Sequence, residues 1–153
     1  MVIVEYSSNW ASEIANIFYQ SVHAIDNSIY TVEQKNVWAP LPIDYEKWTK
    51  RLELKRPFLL LMNNQVAGFI ELESNGHIDC LYVSPKFQRR GVASKLLHHV
   101  ITLAKNSSIN YLYVEASVVS KPLFEKFGFV IEKENKVVRK NIVLINFSMR
   151  LTL

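Results

Sequence analysis

The sequence predicts an α/β (α+β) domain with a mixed, mostly antiparallel sheet of about six or seven strands flanked by helices. Three observations carry that prediction. Between Phe58 and Val83, three short apolar runs are separated by the turn segments Asn63-Asn64-Gln65 and Ser74-Asn75-Gly76, the pattern of an antiparallel meander. A long amphipathic stretch then leads into another strand-like run, and such a helical crossover adds a parallel pair to the sheet. The chain has 153 residues, 49% of them apolar, and no linker divides it, so residues 1–153 read as one domain.

The elements follow in order. Val2, Val4 and Tyr6 alternate as a first strand, and Ser8 or Asn9 can cap a helix running from about Trp10 to Asp26. A second helix covers Val32 to Trp38 and is stopped by Pro40 and Pro42; a third starts near Asp44, with Tyr45, Trp48 and Leu52 on one face. The meander strands are Phe58 to Met62, Val66 to Glu73 and His77 to Val83, and Pro85 ends the last. After Gly91, residues Ala93, Leu96, Leu97, Val100, Ile101 and Ala104 keep i, i+3, i+4 spacing, which makes this the best amphipathic helix of the chain. Tyr111 to Ala116 is then a strand, Lys121 to Phe127 a short helix ended at Gly128, and Phe129–Glu132 with Val138–Leu151 two closing strands.

Composition excludes several classes of function. One cysteine, Cys80, permits no internal disulfide, and four scattered histidines with one thiol argue against a structural zinc site, so no metal is expected. The first ten residues hold Glu5 and no Lys or Arg, unlike a signal peptide, and the longest apolar run, Phe58 to Met62, is far too short for a membrane helix. A cytoplasmic protein without membrane contact is the plain expectation. The net charge of +4 comes from 18 basic and 14 acidic residues. Lys86, Arg89, Arg90 and Lys95 fall in an acid-free stretch, and the other basic residues balance the acids, so the whole excess is local. That suits one anionic ligand at one place better than a nucleic-acid surface.

The place is the start of the long helix. Gln88-Arg89-Arg90-Gly91-Val92-Ala93 leads into it, and a helix N-terminus offers unpaired amides and a positive dipole end, which suit a phosphate or diphosphate. Gly91 permits close approach of the backbone, and Ala93 keeps the first turn uncrowded. Neither the eight-residue nucleotide P-loop nor the dinucleotide glycine motif is present.

Gln88-x-x-Gly91-x-Ala93, preceded by Val83-Ser84-Pro85, resembles the coenzyme A signature of the GNAT superfamily of acetyl-CoA-dependent N-acyltransferases. Pro122-Leu123-Phe124-Glu125-Lys126-Phe127-Gly128-Phe129 resembles the terminal aromatic-glycine block of that family, and Ile78–Val83, Val114–Ser117 and Asn146–Met149 are similar to its bacterial YafP-like branch. The resemblance covers the chain well from about residue 57 and only loosely before it. It implies acetyl-CoA as co-substrate, with Leu81, Tyr82 and Val83 on the pantetheine and the amides of Gln88, Arg89, Arg90, Gly91, Val92, Ala93 and Ser94 on the diphosphate. Ser117, Lys121 and Phe124 are further expected coenzyme contacts. The reaction it implies is direct attack of a neutral amine, on a small molecule or a peptide, at the thioester. A coenzyme A-binding sensor or interaction module of weak activity is the alternative, and the oligomeric state is open, a dimer included.

An alkylamine titrates near pKa 10, so a group must take its proton at neutral pH. Asp79 and His77, two apart on one strand, and Glu115, an acid inside an apolar strand, are the candidates. The tyrosine that the resemblance implies as acid for the departing thiolate aligns with Phe124, which has no proton to give, so Tyr82 or Tyr113 would have to act, or the thiolate leaves unassisted. Strand parity puts Cys80 on the face opposite His77 and Asp79, as a small buried apolar residue. Tyr30, Trp38 and Phe69 are candidates for an acceptor pocket, although core packing is the plainer reading of each, while His98 and His99 read as surface residues.

Overall fold

The computed structural model describes residues 1–153. Strand β1 (Val2–Glu5) is followed by a 3-10 turn at Ser8–Trp10 and by helices α1 (Ala11–His23), α2 (Val32–Trp38) and α3 (Tyr45–Lys55). Strands β2 (Phe58–Met62), β3 (Gln65–Leu72) and β4 (His77–Val83) form the meander, and α4 (Val92–Lys105) crosses over to β5 (Tyr111–Ser117). The short helix α5 (Lys121–Lys126) and the hairpin of β6 (Val130–Arg139) and β7 (Ile142–Thr152) complete the chain. The seven strands lie in the order β1-β2-β3-β4-β5-β7-β6, all neighbours antiparallel except β4 and β5.

Two apolar layers cover the sheet. The α4 residues Val92, Leu96, Leu97, Val100 and Ala104 pack with Leu60, Ile70, Ile78 and Leu112 on one face; Ile14 and Ile17 of α1 and Leu52 of α3 pack with Leu59, Phe69 and Cys80 on the other. Helix α4 comes unusually near β3 at Gly68, where a Cβ would lie 2.9 Å from the Tyr82 carbonyl oxygen and 2.9 Å from Val92 Cγ1. No helix is long and apolar enough to cross a membrane.

Four expectations need correction. Ser8 and Asn9 do not cap α1; they lie within the 3-10 turn, which enters the helix with no side-chain cap. Helix α1 stops at His23 rather than Asp26, because the buried Lys35 ammonium takes the carbonyls of His23 (3.4 Å) and Ile25 (2.6 Å) together with Asn27 Oδ1 (2.6 Å), turning the chain away. The closing strands are not a short one and a long one: β6 runs through Lys133–Lys136 to a tight turn at Lys140 and Asn141, which have φ of 47° and 66°. As an edge strand exposed along nearly all its length, β6 lacks the polar-apolar alternation that marks a half-buried strand. Phe69, wholly buried beneath Tyr82, packs in the core, the plainer of its two readings.

The fourth correction concerns Cys80. The β3–β4 register passes from Leu72 opposite Ile78 to Glu71 opposite Cys80, which leaves Asp79 as the extra residue of a β-bulge. Side-chain parity inverts there. Ile78 faces α4, whereas Cys80 joins the α1/α3 layer, so Cys80 shares the side of Asp79 rather than opposing it.

Candidate active site

β4 and β5 pair only at His77–Tyr113 and Ile78–Val114, then diverge. The gap opens into a cavity of about 800 Å³ lined by Leu81, Tyr82 and Val83 on one side and by Ser117, Ser120 and Phe124 on the other. Beyond Ile78 the β5-facing edge of β4 has no strand partner, so its backbone groups are available to a ligand.

One end of the cavity reaches the start of α4. Gly91 sits there with φ of +76°, a conformation that favours glycine, and the N–H groups of Gly91, Val92, Ala93 and Ser94 make no backbone hydrogen bond. Ala93 and Gln88 line the cavity, and Gln88 Nε2 donates to the Val83 carbonyl at 3.1 Å, tying the loop to the end of β4. Arg89 and Arg90 are exposed beside it. Val92 turns its side chain into the core, leaving its amide for the site. Lys121 lies off the cavity, with its Nζ 5.1 Å from the Phe147 ring and 3.7 Å from Glu125 Oε1. Phe124 is buried edge-on to Phe129 and closes the cavity floor. Ser120, which carried no sequence signal, exchanges hydrogen bonds with Ser117 and holds that strand end.

The opposite end is walled by the α1–α2 connection and the β6–β7 hairpin, with Ile25, Ile29, Tyr30, Trp38, Val137 and Leu144 supplying apolar surface. Tyr30 fastens this wall: its hydroxyl donates to the Ile145 carbonyl at 3.1 Å and accepts from the Val118 amide at 2.9 Å. A capping box between Thr31 and Gln34 starts α2, and Gln34 Nε2 also donates to the Val143 carbonyl at 2.9 Å. Asp26 and Arg139 bring one charge of each sign to this end.

At the point of divergence Asp79 and Glu115 flank the gap, and both border the cavity. They differ in how far they are already engaged. Asp79 Oδ2 pairs with Arg51 Nη2 and Lys55 Nζ, each at 2.9 Å. Burial works to raise the Asp79 pKa, but the Lys55 and Arg51 cations outweigh it and hold the carboxyl below its ordinary range. Arg51 Nη2 also binds the fully buried Glu71 at 2.6 Å and lies 3.4 Å from Cys80 Sγ. Burial pushes the Cys80 thiol well up, which keeps it protonated and unreactive.

Glu115 meets only His77, at 2.8 Å from Nε2, and 43% of its side chain is exposed. His77 does not border the cavity; it stands behind Glu115, stacked on Tyr113 and bound through Nδ1 to Glu73 Oε1 at 2.6 Å. Burial works to lower the His77 pKa, and the two glutamates overcome it to raise the value. Donor atoms of Glu73, His77 and Asp79 lie within 4.8 Å of one another, but the cation that bridges Glu73 and Asp79 is the Lys55 ammonium, at 3.3 and 2.9 Å. Arg51, Lys55, Glu71 and Glu73 were not singled out from the sequence. Their signal was present: two cations one helical turn apart, and two acids at strand spacing.

Tyr82 lines the cavity, and its oxygen accepts from Trp38 Nε1 at 3.2 Å, which leaves the O–H free to donate. Burial pushes its pKa far up, so the proton is retained. Tyr113, the other tyrosine considered, accepts from Asn75 Nδ2 at 2.9 Å and lies off the cavity. His98 is exposed on α4, and His99 packs edge-on to Phe58.

The Acetyltransferase (GNAT) domain family matches residues 27–151. The Escherichia coli K12 protein named "Uncharacterized N-acetyltransferase YafP" is 33% identical over 148 residues, 97% of this chain and 93% of that protein. Among solved structures, a GCN5-related N-acetyltransferase of Rhodopseudomonas palustris superposes with a TM-score of 0.92 at 29% identity, covering 99% of this chain and 95% of that one. The PaiA N-acetyltransferase of Thermoplasma acidophilum, solved in complex with coenzyme A, shares the fold at a TM-score of 0.74 and 17% identity, with 100% of both chains covered.

Proposed function

The chain belongs to the GNAT family of acetyltransferases, which use acetyl-CoA as co-substrate, and from that premise we propose that it moves the acetyl group directly onto a primary amine carried on an apolar body. The observation that carries this reading is the parting of β4 from β5 beside the free amides of α4, which joins a diphosphate cradle to a cavity reaching the acceptor wall. In this reading Gly91, Val92, Ala93 and Ser94 hold the diphosphate with their amides, and Arg89 and Arg90 add positive charge. The free edge of Leu81–Val83 holds the pantetheine and polarises the thioester carbonyl.

Glu115 is the proton acceptor in this scheme. Its carboxylate borders the gap and has one partner, His77, whereas Asp79 is bound by two cations and is better suited to hold Arg51 and Lys55 in place. Once the amine has lost its proton, its lone pair forms the N–C bond as the C–S bond breaks, and the further proton shed by the acylated nitrogen ends on the thiolate, giving the amide and the thiol. Tyr82, with a free O–H, donates a hydrogen bond to the departing thiolate, the part Phe124 cannot play. The far end of the cavity supports this acceptor class, since Ile25, Ile29, Trp38, Val137 and Leu144 offer apolar contact that polyamines and aminoglycosides would not use.

Incubating the protein with acetyl-CoA and a panel of amines, with thiol release followed and products weighed by mass spectrometry, tests the proposal. Acetylation of arylalkyl or branched alkyl amines ahead of polyamines is the expected outcome. Phe124 favours one second reading, a coenzyme A-binding module of weak activity; tight acetyl-CoA binding with no thiol release for any amine would select it.

A further inference from the structure

The His77 ring lies between two carboxylates, with Nδ1 2.6 Å from Glu73 Oε1 and Nε2 2.8 Å from Glu115 Oε1. A neutral imidazole has one N–H and one lone pair, so with both glutamates ionised one of these contacts sets a lone pair against an anion. The group of three therefore has a place for one additional proton, between Nε2 and Glu115, and it lies at the edge of the cavity. The other nitrogen is spoken for. Glu73 is shorter-bonded to the ring, is itself anchored by Lys55 at 3.3 Å, and does not border the cavity, so it fixes the tautomer with the proton on Nδ1.

We propose that Glu115, His77 and Glu73 act as one proton-accepting unit, in which Glu115 receives the acceptor's proton, His77 Nε2 stores it and Glu73 is the positioning residue that keeps Nε2 free to do so. The inference rests on the amine-acetylating reading above. An ammonium N–H bond breaks, the proton bonds to the oxygen of Glu115 that His77 does not hold, and a turn of that carboxyl passes it to Nε2. The amine is left neutral, and the unit gains one positive charge. After acetylation the proton returns by way of Glu115 to solvent.

The carboxylates facing His77 favour storage of that charge. Glu73 follows the end of β3, Asp79 lies on its own strand, and Glu115 and the stacked Tyr113 ring come from β5; the cations of α3 are already engaged, Lys55 with Glu73 and Asp79 and Arg51 with Glu71 and Asp79. The direction of the His77 shift, upward, agrees.

The test is the pH dependence of kcat at saturating acetyl-CoA and amine, in the wild type and in Glu73→Gln. The wild type should show a rising limb that coincides with the titration of His77 followed by NMR, the signal being assigned by its loss in His77→Gln. Glu73→Gln keeps a hydrogen-bond acceptor but removes a charge, so both the limb and the NMR titration should move down by about half to one pH unit, with KM for acetyl-CoA unchanged. A purely structural Glu73 would lower the melting temperature and leave the limb in place, and that result overturns the proposal. Should Glu73→Gln fail to fold, a wild-type kinetic limb that does not coincide with the His77 titration overturns it equally. If the wild type acetylates no amine, the functional reading fails separately; a His77 titration indifferent to Glu73→Gln and Glu115→Gln would then dispose of the unit itself.

Discussion

Two carboxylates flank the gap between β4 and β5, and single substitutions should separate their parts. Glu115→Gln removes the proposed proton acceptor while leaving the Arg51 and Lys55 pairs intact, so turnover should fall by about 10² to 10⁴ with little change in melting temperature. Asp79→Asn strips a shared anion from both cations, so it should lower the melting temperature as well as the rate. Thermal melts alongside steady-state kinetics check both; an Asp79→Asn variant as stable as the wild type but far slower would return the base assignment to Asp79. Gly91→Asp tests the diphosphate cradle. No atom lies within 4 Å of a Cβ there, so the variant should fold, but a carboxylate joins the free amides in a strained left-handed position and acetyl-CoA binding by calorimetry should be lost.

The contact between α4 and β3 sets the position of the first turn of α4, where the proposed cradle lies. Gly68→Ala places a methyl against the Tyr82 carbonyl and Val92, which must push the first turn of α4 outward. A destabilisation of about 1–3 kcal/mol by denaturant melts, with weakened acetyl-CoA affinity, is expected. Much at this scale was legible in the sequence. The amphipathic spacing of α4 and the turn residues of the meander are local signals, and both elements stand where those signals placed them. The bulge at Asp79 was not legible, because one extra residue in a strand changes parity without changing composition, and the face of Cys80 was misread with it. The end of α1 and the length of β6 were obscured for a related reason: a lysine twelve residues along in the chain from His23 sets the first, and partnership with β7 sets the second. At the site, the acids were visible as acids out of place in apolar strands; what they bond to depends on α3, whose register against the sheet has no local signature.

The charge network reaches from β3 to β5 and makes the stability of the whole molecule depend on pH in two directions. Glu73 has its pKa lowered, chiefly by the hydrogen bond to His77, and the Asp79 pKa is lowered too. Their contributions are present above about pH 4.5 and are lost as pH falls through the depressed folded values. The raised value of His77 works the other way: its contribution is full below about pH 6.5 and disappears as pH rises through the higher folded value. Calorimetry should therefore find the wild type more stable near pH 6 than near pH 9, with that difference reduced in His77→Gln. An equal difference in the variant would assign the decline to other groups. The Tyr30 hydroxyl joins the first third of the molecule to the last, to Val118 across 88 positions and to Ile145 across 115. On the ribosome this gives the pocket a birthday later than that of the scaffold around it. Everything through β5 can leave the exit tunnel while Ile145, one half of that clasp, is still inside it, and β7 must come in between β5 and β6 to close the sheet. The apolar wall at the far end of the cavity is thus finished only at the end of translation, and a chain broken off before Ile142 would lack the side of it that Leu144 and Ile145 supply.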